Sequence, residues 1–74
     1  MAATCTFFEV AMEGFNKRSE KDRRKRVNYV VVWYKDRLGR EYRRRYEYPV
    51  SYTWNQMMSS FPRTIPDPEA KGRS

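Results

Sequence analysis

From Thr4 to Phe15 the chain alternates with a period of two. Thr6, Phe8, Val10 and Met12 fall on one side of an extended backbone, and Phe7, Glu9, Ala11 and Glu13 on the other. This pattern predicts a half-buried strand. A helix is the competing reading, because alanine, methionine and glutamate favour it. The next eleven residues, Asn16 to Arg26 (NKRSEKDRRKR), contain no apolar side chain. They predict a solvated loop or mobile arm, unusually long for a small domain and for that reason a functional candidate.

Val27 to Lys35 (VNYVVVWYK) is β-branched and aromatic, the composition of a strand. Asp36-Arg37-Leu38-Gly39 follows as a turn, with Asp first and Gly last. REYRRRYEY then continues as the second strand of a hairpin until Pro49 ends the ladder. Charge sets the register. A loop of Arg37, Leu38 and Gly39 opposes Asp36 to Arg40 and Lys35 to Glu41, whereas a two-residue loop opposes Arg37 to Arg40 and Asp36 to Glu41. Like charges directly across a ladder destabilise it, so the first register is expected. It puts Val30, Val32 and Tyr34 on one face with Tyr42, Arg44, Tyr46 and Tyr48. The other face takes Val27, Tyr29, Val31 and Trp33 with Arg43, Arg45 and Glu47. The first is the better core face, with Arg44 obliged to snorkel or pair. On the second, guanidinium groups can lie over Trp33 and Tyr29.

Ser51 to Phe61 changes period: Trp54, Met57, Met58 and Phe61 form a helical stripe that reads as core, and Thr53 with Gln56 resembles a capping box. Pro62 stops the helix. The expected architecture is an α+β domain over residues 1–61. It consists of a three-stranded antiparallel meander in sequence order, with one short C-terminal helix packed on a face. A disordered, proline-containing tail is expected over residues 62–74.

Composition narrows the function. The chain has 74 residues and starts Met1-Ala2-Ala3, which reads as one complete small gene product. Domains of this size gain only about 3–5 kcal/mol from their cores. Cys5 is the single cysteine and histidine is absent, so neither an internal disulfide nor a zinc site is expected. Aromatic packing has to compensate, with a monomer or weak homodimer expected. No run approaches the ~20 apolar residues of a membrane span, and the N-terminus lacks the basic region of a signal peptide. A cytoplasmic, reducing location fits, or a nuclear one in a eukaryote. No acid/base pair, activated nucleophile or glycine-rich phosphate loop is visible. The reading is therefore non-enzymatic, with no catalytic residues, metal or cofactor.

Net charge is +7, and its distribution is informative. Between Lys17 and Arg45 stand thirteen Lys/Arg against Glu20, Asp22, Asp36 and Glu41 (+9), while the remainder holds three basic against five acidic groups (−2). A surface serving solubility alone would intersperse the signs. Candidate binding residues are Lys17, Arg18, Lys21, Arg23, Arg24, Lys25 and Arg26 in the loop, and Arg43 and Arg45 beside Trp33 and Tyr29 on the hairpin. Clustered cations suit phosphate backbones, a ribbon with arginines suits a major groove, and exposed aromatics suit unpaired bases. The same surface suits an acidic protein. The expected partner is DNA or RNA, or an acidic component of the transcription machinery.

In outline the predicted sheet and helix resemble the three-stranded-sheet-plus-helix DNA-binding domains of some integrases and plant transcription factors. In size, charge and lack of enzymatic signature the chain is also similar in kind to phage-encoded host-takeover factors, including inhibitors of bacterial RNA polymerase. Both resemblances imply a regulator of transcription or genome handling.

Overall fold

Long runs of β-branched and aromatic residues hold most of the chain extended, and the computed structural model, which describes residues 4–67, is mainly antiparallel sheet. Its elements are β1 (Thr4–Arg18), β2 (Arg26–Lys35), β3 (Glu41–Pro49), α1 (Trp54–Met58) and β4 (Thr64–Pro66). The strands stand in the order β3-β2-β1-β4. The helix is a single turn, so the α+β expectation overstated its share.

The hairpin has the charge-selected register: Lys35 faces Glu41, Trp33 faces Arg43 and Val31 faces Arg45. Asp36 builds the turn. Its carboxylate accepts the N–H groups of Leu38 and Arg40, each at 2.9 Å, and the Arg40 guanidinium at 2.7 Å. Gly39 sits at φ 84°, the left-handed position this loop requires. Val30, Val32 and Tyr34 are buried with Cys5, Met57, Phe61 and Ile65 in one cluster. Arg44, directly across from Val32, snorkels to an exposed position.

In β1 the simple alternation breaks. Register shifts between Phe7 and Glu9, Met12 and Gly14, and Gly14 and Lys17 insert extra residues. The first re-phases the strand, so that Phe7 lies opposite Tyr34, and Val10 opposite Val32. Cys5, Phe7, Val10 and Met12 all join the core, while Phe8 is left exposed. A bulge switches the facing of every later side chain, which strict period-two counting cannot anticipate.

Gly14 is required by a close approach. A Cβ there would stand 1.7 Å from Cε2 of Tyr29, and that ring is itself covered by the Arg45 guanidinium at 3.6 Å. Gly14→Ala is expected to cost about 2 kcal/mol, the range for overpacking, read as a lower urea midpoint. An unchanged midpoint would show that the ring has room to move.

Helix α1 has the anticipated capping box: Thr53 N–H donates to Gln56 Oε1 at 2.8 Å and Gln56 N–H to Thr53 Oγ1 at 3.3 Å. It ends early because Ser59 Oγ donates to the Asn55 carbonyl at 2.7 Å and Ser60 Oγ donates to that of Gln56. Met57 and Phe61 are buried and Met58 half-buried, but Trp54 is 42% exposed, so the stripe is core except at its first residue.

The expectations of three strands and of a disordered tail from Pro62 are corrected by β4. Thr64, Ile65 and Pro66 pair with Thr6, Cys5 and Thr4 on the free edge of β1. Pro62 O accepts the Tyr34 hydroxyl at 2.6 Å, and Arg40 reaches the buried Asp67 at 3.9 Å. A three-residue strand with one apolar side chain gives no readable period, and a proline is tolerated at the end of an edge strand. The fold thus extends past Phe61. The rest of the predicted tail, residues 68–74, lies outside the described residues.

Candidate nucleic-acid interface

The charge run predicted as an eleven-residue loop is shorter and more ordered than expected. Pairing continues through Lys17 opposite Val27 and Arg18 opposite Arg26, leaving only residues 19–25 as connection. Two small polar residues shape it. Ser19 Oγ accepts the N–H groups of Lys21 (3.0 Å) and Asp22 (3.2 Å). Asp22 accepts Arg24 N–H at 3.1 Å, and its carbonyl takes Lys25 N–H at 2.9 Å. These are the local side-chain turns that serine and aspartate favour. Their spacing in the sequence, Ser19-x-x-Asp22, was the available signal for order within the run.

The turn is anchored from β3. Glu47 accepts Ser19 Oγ at 2.6 Å, Glu20 N–H at 2.9 Å and Arg45 Nη2 at 2.8 Å. Burial alone would raise its carboxyl, but the hydrogen bonds from Ser19, Glu20 and Arg45 outweigh it and hold the group below the ordinary glutamate range. A depressed folded value means that the anchor contributes fully above the unfolded pKa, about 4.3, and is lost as pH falls through the folded one. The Glu20 amide proton resonance should therefore titrate with a midpoint below about 4.3, and Glu47→Gln should remove that titration. A midpoint at the ordinary value would show that Glu47 does not hold the loop.

With the backbone fixed inward, the cations project outward. Lys17, Arg18, Lys21, Arg23, Arg24, Lys25 and Arg26 are all exposed. Arg24 lies 3.3 Å from Asp22, and Arg26 donates to the Asn16 carbonyl at 3.3 Å. Lys17, Arg18, Lys21, Arg23 and Lys25 make no ion pair among the described residues. The two acids of the stretch are engaged: Asp22 in its turn, and Glu20 with Arg45 at 2.8 Å. An open groove of about 520 Å³ lies beside the loop, lined by Lys21, Lys25 and Arg26 with Val27, Tyr48 and Val50.

The hairpin candidates are placed differently. Arg45 is clamped between Glu20 and Glu47 and lies 3.6 Å over Tyr29, so it holds the loop root, across the ladder from the fully buried Val31. Arg43 stacks more loosely on Trp33 at 5.8 Å and faces Glu13 at 3.8 Å, with 58% of its side chain exposed. By register this sheet face carries Lys35, Arg43 and Arg45 with Glu9, Glu41 and Glu47, and Glu13 reaches Arg43 from the bulge before Gly14, so acids offset these cations. Arg43 also stands six residues back along β3 from Pro49, roughly 20 Å along the strand, whereas Arg45 reaches the loop itself through Glu20. The structure therefore gathers the loop cations, uses Arg45 to anchor them and leaves Arg43 apart. The run YRRRYEY showed the neighbouring Glu47 but not Glu13 or Glu20, which come from distant segments.

Among the described residues no group of three or more histidine, cysteine, aspartate or glutamate side chains is placed to hold a metal. Cys5 is buried, and burial pushes its thiol up. No described helix is long and apolar enough to cross a membrane. No protein-family model, curated protein or solved structure matches this chain.

Proposed function

We propose that the chain is a small non-enzymatic binding module that grips the phosphate backbone of nucleic acid with the cationic end formed by residues 17–26, acting in transcription or genome handling. One observation carries this reading. Seven cations lie within ten residues on an ordered hairpin end, and the acids among them are used internally. A fixed backbone presents its charges without the ordering cost of a flexible arm, and each phosphate neutralised releases condensed counterion. Arg45 serves as a positioning residue for the loop, and Arg43 is peripheral.

Mobility-shift titration at several salt concentrations tests the reading. With five unpaired cations engaged, log affinity should fall linearly with log salt at a slope of about −3.5 to −4.5. Absence of any shift at low salt would end the nucleic-acid reading and leave an acidic protein of the transcription machinery as the partner for the same cations.

A further inference from the structure

Large aromatic side chains are normally drawn into a core, and two left exposed along one cleft need a reason. Phe15 is 68% exposed and Trp54 42% exposed, and both line one open groove of about 580 Å³ with Met12, Tyr52, Glu13 and Lys17. Phe15 comes from the end of β1 and Trp54 from the first position of α1, so distant segments build the groove. Tyr52 is braced from behind by Tyr48, the rings nearly parallel (13°) with centroids 5.4 Å apart. The groove also runs into the cationic end: Lys17 lines it, and exposed Arg18 follows directly.

Resting on the phosphate-binding reading above, we infer that this groove takes unpaired nucleobases, so that the module prefers single-stranded over double-stranded nucleic acid. A flat aromatic surface needs a free base face, which a duplex keeps covered by its neighbouring bases, whereas a single strand can turn a base out onto Phe15 or Trp54. Charge sets the direction. Glu13 pairs with Arg43 at 3.8 Å and repels phosphate, so the backbone runs along Lys17 and Arg18 while the base enters between the rings.

The test uses the full chain with a poly-pyrimidine single strand, as DNA and as RNA, and a duplex of the same length, in fluorescence anisotropy. Phe15→Ala and Trp54→Ala are expected to weaken single-strand binding about tenfold each and to leave duplex binding within twofold. In Trp33→Phe the remaining indole reports the groove directly, and its emission should be quenched by the single strand. Equal affinity for duplex and single strand, with neither alanine variant affected, would overturn the base-binding inference while leaving the phosphate reading intact. Binding to neither at low salt would overturn both. Unquenched emission with tight single-strand binding would place the bases elsewhere and also overturn the inference.

Discussion

Replacing Lys21, Arg23 and Lys25 together by glutamate is expected to lower affinity for any nucleic acid by at least about a hundredfold at low salt and to flatten the salt slope by about 2 to 3. The three substitutions take the 17–26 stretch from +5 (seven cations against two acids) to −1. None of the three side chains holds the loop together. Its shape comes from Ser19, Asp22 and Glu47 acting on backbone groups, so the variant should keep the parent's thermal midpoint within a few degrees. That separates lost binding from lost structure. Arg43→Ala should change affinity by no more than about twofold, as expected of a rim charge already facing a carboxylate. Arg45→Ala should reduce stability first, by uncovering the Tyr29 ring and freeing the loop root, and affinity only through that. The opposite ranking, with the loop variant binding normally and Arg43→Ala failing to bind, would move the interface onto the hairpin.

Local chemistry was legible in the sequence and long-range partnership was not. The Asp36–Gly39 turn, the hairpin register and the Thr53–Gln56 cap follow from residues within a few positions of each other, and each stands in the structure as read. So does the inward face of β2, because two valines and a tyrosine leave little choice. The phase of β1 was hidden, since a bulge depends on what the opposing strand presents. Strand β4 was hidden because one isoleucine between a threonine and a proline means nothing until the edge of β1 is free to receive it. The site shows the same division. Clustered cations are a property of the sequence, but how Arg43 and Arg45 are taken up depends on Glu13 and Glu20, which come from other segments, as well as on Glu47 of their own strand. The aromatic groove likewise joins Phe15 to Trp54, thirty-nine positions apart, and a helical period at Trp54 pointed only to core.

Asn28 connects these parts, and its substitution is expected to have the largest effect on stability. It is fully buried on β2, yet every polar atom of its side chain is used. Oδ1 accepts the N–H of Asn16 at 2.8 Å, where β1 takes a left-handed residue (φ 54°) just before the cationic end. Nδ2 donates to the carbonyls of Val50 at 3.2 Å and Tyr52 at 3.3 Å, which lead into α1. One amide thus joins the segment bearing Phe15 and Lys17 to the segment bearing Tyr52 and Trp54, the two sides of the aromatic groove. Asn28→Leu strands one N–H and two carbonyls in an apolar setting, at a cost of about 3 kcal/mol, most of what a core of this size supplies. Asn28→Asp is more diagnostic. A carboxylate still accepts from Asn16 but sets its second oxygen against two carbonyls, which disfavours the charged form and raises its folded pKa above the unfolded value of about 3.9. Proton uptake then favours the folded state, so the deficit of Asn28→Asp relative to wild type should shrink as pH falls through the raised folded pKa toward 3.9. Measuring both proteins at each pH cancels the loss of the Glu47 anchor they share. A deficit independent of pH would mean that Val50 and Tyr52 do not face this side chain, and that the groove is held together by α1 packing alone.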